Sequence, residues 1–215
     1  MSPRPRHRRN PAETRERHAS VTEQGPVMDA AARFLEARPR SVAETRRRLT
    51  DAGYQAALVD DVLVRLEELG YLDDEAFARA WVESRDRAHP RGEGALRREL
   101  ALKGIATDLV AAVLAERRAP APDEPAGLEP GAGPSAFEPY RERVAVDPDL
   151  DGALRLLARR SAALLREPDP RRRRQRAYAL LARQGFDPGT CREAVESWVA
   201  ASPGDPLAPP DVADV

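Results

Sequence analysis

Apolar residues along this chain recur at helical spacing. Leu58, Val59, Val62, Leu63, Leu66 and Leu69 follow one another at intervals of one, three, one, three and three, a wide stripe along one helix face. A six-residue phrase punctuates such stretches three times. It reads Leu49-Thr-Asp-Ala-Gly53-Tyr54, Leu100-Ala-Leu-Lys-Gly104-Ile105 and Leu181-Ala-Arg-Gln-Gly185-Phe186. A helix closing on Leu-x-x-x needs a left-handed residue just past its end, and glycine takes that conformation without strain. The apolar residue after it folds back onto the helix it follows. Three such corners, each leading into another amphipathic stretch, predict an all-α array of tandem three-helix, helix–turn–helix-like repeats, elongated because each unit buries its apolar face only against its neighbours.

Start and stop signals divide the chain further. A short helix spans 28–37 and is interrupted at Pro39. Ser41-Val-Ala-Glu44 matches a capping box and opens a helix carrying Val42, Thr45 and Leu49, closed by Gly53; the stripe from Leu58 ends at Gly70. These make repeat 1, residues 28–70. Repeat 2, residues 71–118, begins where Asp73 or Asp74 caps a helix with Phe77, Ala78, Trp81 and Val82. Pro90 and Gly92 break it, Leu96 and Leu100 mark the middle helix, and Thr107 caps Leu109, Val110, Val113 and Leu114. Repeat 3, residues 149–199, has Asp-Pro at 147–148, 169–170 and 187–188. Asp at the cap with Pro in the first turn is a strong opener. Nine helices are expected.

Between repeats 2 and 3, residues 119–148 hold seven prolines and three glycines without periodicity, a linker insertion spanning roughly 30 Å as a coil. The spacing Gly53–Gly104 is 51 and Gly104–Gly185 is 81, so the 30-residue difference matches that insertion. Residues 1–27 read as a disordered basic arm and 200–215 as a disordered acidic, proline-rich tail.

Composition narrows the function. Aromatics are 5% and charged residues 33% of 215 residues, so the core is built from Leu, Val and Ala. No run of 18 apolar residues suggests a membrane span. Arg8-Arg9 is not followed by the apolar stretch of a secretory signal. Cys191 is the only cysteine, which fits a reducing compartment, and a cytoplasmic location is expected. The net charge of −1 is unevenly spread: repeat 3 carries 11 basic against seven acidic residues, whereas 28–118 carries 16 against 17.

Catalytic chemistry is not legible. His7, His18 and His89 have no metal-ligand spacing, and no Gly-rich phosphate loop or serine elbow occurs. Cys191 reads as a packed small residue. Asp73-Asp74-Glu75 reads as a capped, acid-rich first turn rather than a metal site. Neither an enzymatic activity nor a cofactor is expected. What remains is surface: Arg46, Arg47 and Arg48; Arg97 and Arg98 with Lys103; and Arg171, Arg172, Arg173 and Arg174 with Arg176 and Arg183 all fall on the middle helix of their repeats. Such clusters are candidates for a surface that meets phosphate backbone or an acidic protein.

Several of these segments together resemble the RecX family of bacterial regulatory proteins. Arg38-Pro-Arg-Ser41-Val-Ala-Glu44-Thr-Arg-Arg-Arg-Leu49 is similar to that family's opening motif, and Leu66-Glu-Glu-Leu-Gly70-Tyr-Leu-Asp73-Asp74-Glu-Ala-Phe77-Ala78 to its most distinctive one. Arg85, Gly92 or Gly94, Glu99-Leu100-Ala-Leu-Lys103-Gly104-Ile105 and Gly185-Phe186 continue the likeness in order. It covers 28–118 closely and 149–199 more loosely; the arm, the insertion and the tail depart from the family's compact pattern. The resemblance implies a cytosolic protein that binds the RecA filament on single-stranded DNA. It also implies inhibition of RecA's ATP hydrolysis, filament growth and strand exchange in recombination, DNA repair and the SOS response. The middle-helix arginines would then face the filament, with weak direct DNA contact. The alternative from the same residues is a helix–turn–helix protein that binds DNA without RecA; a third reading is an adaptor for another acidic helical protein.

Overall fold

The computed structural model describes residues 11–119 and 147–201. Among them are ten α-helices and no strand: α1 (Pro11–Ala19), α2 (Gln24–Leu35), α3 (Val42–Ala52), α4 (Ala56–Glu68), α5 (Asp74–Ala88), α6 (Glu93–Leu102), α7 (Thr107–Arg118), α8 (Pro148–Leu164), α9 (Pro170–Arg183) and α10 (Pro188–Ala200). The chain divides into two compact units, Met1–Trp81 with Glu99–Val110 and Val82–Arg98 with Ala111–Val215. Each of α5, α6 and α7 therefore gives one end to each unit.

In the first unit α2, α3 and α4 close over Val27, Leu49, Val59, Val62, Leu63 and Leu66, all buried. In the second, α8, α9 and α10 close over Leu157, Leu181, Phe186, Cys191, Ala194 and Trp198. Each fully buried leucine or valine contributes about 1.5–3 kcal/mol, and these cores are what hold the helix starts and corners in place.

The recurring phrase has one hydrogen-bond pattern. The N–H of Tyr54, Ile105 and Phe186 reaches back to the carbonyl of Leu49, Leu100 and Leu181 at 3.3, 3.1 and 3.4 Å. The N–H of Gly53, Gly104 and Gly185 binds the carbonyls of Thr50, Ala101 and Ala182. This is the Schellman arrangement, with the glycines at φ 103°, 80° and 85°. Leucine and the following apolar residue are buried in every case. A fourth copy, Leu66-Glu-Glu-Leu-Gly70-Tyr71, has the same bonds but leaves Tyr71 69% exposed.

The capping box on α3 is formed, with Ser41 Oγ accepting from Glu44 N at 3.1 Å. Asp147, Asp169 and Asp187 each accept a backbone N–H from the first turn of the helix they open. Several sequence expectations are corrected. Residues 11–19 of the expected disordered arm form α1, held by His18, which stacks on Tyr54 at 4.3 Å and bonds the Ala52 carbonyl at 2.8 Å. The first helix of repeat 1 starts at Gln24, not at Met28. Thr107 lies within α7, and Ala106 supplies the carbonyl that Val110 N binds. Trp81 on α5 is half-buried, and its indole N–H donates to Glu99 Oε2 at 2.9 Å. The arm before residue 11, positions 120–146 of the insertion and the tail from 202 lie outside the described residues.

Candidate binding surface

The starts of the middle helices explain how the basic clusters are presented. In the first unit, α3 starts beneath two long-range contacts. Asp74 Oδ1 accepts the Val42 N–H at 2.9 Å, and Ser41 Oγ donates to the Lys103 carbonyl at 2.6 Å. The Gly104 corner lies so close that a Cβ there would collide with Ala43. In the second unit the start of α6 repeats the arrangement. Asp149 Oδ2 accepts the Glu93 N–H at 2.9 Å, Gly92 N–H donates to the Gln184 carbonyl at 3.1 Å, and the Gly185 corner abuts Ala95. A carboxylate thus takes one backbone donor of each helix start, and a carbonyl beside a glycine corner takes one further polar hydrogen next to it.

The third middle helix breaks the pattern. Its N1 residue is Pro170, which has no N–H to offer a carboxylate. Where α3 has Ala43 and α6 has Gly94 and Ala95, α9 has Arg171 and Arg172, both exposed. No acidic residue lies in its first turn, whereas α3 and α6 have Glu44 and Glu93 there. Arg171 to Arg174 thus lie in the first turns of α9, whose positive dipole end is met by the Asp169 carboxylate that caps it.

The predicted cations differ in how much charge they leave available. Arg46 pairs with Asp60, Arg97 with Glu93 at 2.6 Å, Arg172 with Asp169 at 3.6 Å and Arg176 with Glu167 at 2.8 Å. Arg173 donates to the Glu167 carbonyl at 3.1 Å, and Arg48 lies 5.9 Å from the Phe34 ring centre. Arg47, Arg98, Arg171, Arg174 and Arg183 make no side-chain ion pair with any described residue, and all but the half-buried Arg174 are exposed. Lys103 is engaged inside the first unit: its ammonium binds Glu44 Oε1 at 2.7 Å, lies 4.8 Å over the Trp81 ring, and is 20% exposed. Burial pushes the Glu44 carboxyl up, but the Lys103 bond and charge, with Arg38 and the Ser41 N–H, outweigh it and leave the group below its usual range.

One charged cluster escaped the sequence reading. Arg117 on α7, with its side chain 7% exposed, grips Asp86 through Nε and Nη2 at 2.9 Å each and Asp149 through Nη1 at 2.5 Å. Arg118 pairs with Glu93. Burial pushes the Asp149 carboxyl above its usual range against the pull of Arg117. Burial works against the Arg117 charge, but its two carboxylates prevail and hold it protonated. Helical spacing marks no such partner, since Asp86 and Asp149 lie 31 and 32 residues away.

Among the described residues no three His, Cys, Asp or Glu side chains are grouped to hold a metal ion. Cys191 is fully buried with Sγ 3.6 Å from the Phe186 carbonyl. Burial, then the charges of Asp187 and Asp149, push its thiol above the usual range, so it stays protonated and unreactive. No described helix is long and apolar enough to cross a membrane.

These features define an all-helical protein of three-helix units that carries arginines without a described carboxylate partner on its middle helices. Family models described as "RecX, first three-helix domain" and "RecX, second three-helix domain" match residues 28–66 and 73–114. A regulatory protein RecX of Mycobacterium avium (strain 104) is 32% identical over 170 residues, covering 79% of this chain and 82% of the relative. The chain belongs to the RecX family of regulatory proteins. Another regulatory protein RecX, from Mycobacterium sp. (strain JLS), is 38% identical over 110 residues, and that match spans 60% of the relative's length. The crystal structure of RecX from Lactobacillus salivarius shares the fold at TM-score 0.61 and 13% identity, over 81% of this chain and 96% of that one.

Proposed function

We propose that this chain regulates RecA by binding its filament on single-stranded DNA and limiting ATP hydrolysis, filament extension and strand exchange. Membership of the RecX family carries the reading. The presentation of arginine supports it: Arg47 on α3, Arg98 on α6, and Arg171, Arg174 and Arg183 on α9 hold guanidinium groups that no described carboxylate neutralises. Such groups suit a DNA-loaded, acidic partner, where charge complementarity speeds encounter and fixes register. The opening of α9 is the strongest of these places, since Arg171 and Arg174 both lie in its first turns.

The test is RecA's single-strand-dependent ATP hydrolysis, with RecA from the same organism, titrated with this protein. Inhibition well below one molecule per RecA subunit supports the reading and favours blocked growth over competition for DNA. Unchanged hydrolysis, with free DNA nonetheless bound, sinks it in favour of a helix–turn–helix protein that binds DNA by itself.

A further inference from the structure

The second unit contains two concavities of different electrostatic character. One, of about 530 Å³, mixes signs: Arg97, Arg117 and Arg118 stand among Glu93, Asp147 and Asp149. The other, of about 430 Å³, lies where the α5–α6 turn meets α8 and the end of α9. Its ionisable lining is His89, Arg91, Arg159 and Arg160, and no carboxylate is among its lining residues. Its apolar lining includes Pro90, Leu156 and Leu180.

The geometry points to a phosphodiester-binding site in this second concavity, one that takes the backbone of a polynucleotide strand. Arg159 is already positioned. Its Nη1 donates to the Ala88 carbonyl at 2.8 Å and its Nη2 to the Arg87 carbonyl at 3.4 Å, at the C-terminal end of α5. Those two bonds fix the guanidinium plane and leave the other N–H donors for a ligand. Arg160, the next residue, is exposed and makes no ion pair with a described residue. A carboxylate-bearing partner is the weaker fit. Planar guanidinium forks pair with carboxylate and phosphate oxygens alike, but the apolar lining of Pro90, Leu156 and Leu180 accepts sugar or base edges, as single-strand grooves do. The exposure of Arg159 and Arg160 makes this a place on a groove rather than an enclosed pocket, which suits a continuing strand over a free nucleotide.

None of these four residues was among the middle-helix cations, because Arg159 and Arg160 belong to a first helix and His89 and Arg91 to a turn. The site goes beyond the RecA reading and is tested on naked DNA, so either can fail while the other stands.

The experiment is fluorescence anisotropy of a labelled oligo-dT strand with the full chain and no RecA, across a salt series. Arg160→Gln should weaken binding about threefold to tenfold and lower the salt slope by about 1; Arg159→Gln/Arg160→Gln should lower it by about 2. The control Arg33→Gln/Arg65→Gln, which removes the same charge from the first unit, should stay within about twofold. Because Arg159 also bonds α5, Arg160→Gln, whose residue bonds nothing described, keeps the result interpretable; circular dichroism checks the helices. Unchanged binding in Arg160→Gln, or an equal loss in the control, overturns the site. Displacement of the strand by inorganic phosphate or ATP, beyond what chloride achieves at equal ionic strength, overturns the polynucleotide assignment in favour of an isolated phosphate.

Discussion

Asp74 accepts the backbone N–H of Val42 at 2.9 Å across 32 residues, capping a helix to which it does not belong. The cap of its own helix is Asp73, which accepts from Glu75 and Ala76. Asp149 does the same for Glu93 in the second unit. Adjacent repeats are thus joined by a carboxylate that leaves the first turn of one helix to satisfy the first donor of another.

The two carboxylates should differ in weight. Asp74→Ala loses one cap and should cost about 1–2 kcal/mol. Asp149→Ala also takes from Arg117, whose side chain is nearly inaccessible, one of its two carboxylates, and a lost hydrogen bond to a charged group adds about 1.5–3 kcal/mol to the lost cap. Urea denaturation of both variants measures the difference, and equal losses would show that Arg117 is held by Asp86 alone.

The corner glycines separate backbone strain from packing. Gly70 has φ 73° and nothing within 4 Å of a built Cβ, so Gly70→Ala should cost only the left-handed penalty of roughly 1–2 kcal/mol. At Gly185, φ is 85° and the Cβ would come within 2.5 Å of Ala95 N. Gly185→Ala should cost at least about 3 kcal/mol. Similar midpoints for the two would mean that the Gly185 corner has room to move.

Those corners were the most legible part of the fold, because one leucine, one glycine and one apolar residue encode both the hydrogen bonds and the burial. The Asp-Pro openers of α8, α9 and α10 were legible for the same local reason. α1 was not: its sequence is polar, and it is held by the His18 ring on Tyr54 and by the Arg15 backbone against Gly53. Those contacts leave no apolar period. At the candidate surface the clusters of arginine were visible, but not which of them are neutralised. Lys103 looked like another surface cation until Glu44, 59 residues earlier, enclosed its ammonium with Trp81.

Acid should weaken the fold through Glu44 and Asp187. Asp187 lies below its usual range chiefly because the Thr190 hydroxyl bonds it, with the Thr190 and Gly189 N–H groups adding to this against burial. A carboxyl lowered in the folded state contributes stability above its unfolded pKa of about 4, lost as pH falls through the folded value. Asp74 and Asp149, raised mainly by burial, act oppositely: their contribution is present at low pH and lost as pH rises through their folded values. Glu44→Gln/Asp187→Asn should therefore flatten the acid side of a plot of urea midpoint against pH. A slope as steep as the parent's would assign acid sensitivity to other groups.

Arginine on α9 and the lysine just past the end of α6 should separate function from folding. Arg171 and Arg174 have no described carboxylate partner and sit where the dipole of α9 opposes them. Reversing both by Arg171→Glu/Arg174→Glu should relieve that local repulsion, so the fold should be as stable as before or slightly more so. The concentration needed to half-inhibit RecA hydrolysis should nevertheless rise at least about tenfold, the effect of 1.4 kcal/mol of lost attraction, and its salt dependence should weaken. Lys103→Met should behave inversely. It leaves Glu44 without its main partner and lowers the urea midpoint, while the half-inhibiting concentration stays within about twofold of the parent. If Lys103→Met instead abolishes inhibition in a folded protein, the surface that meets the filament runs past the α6 corner and not the opening of α9.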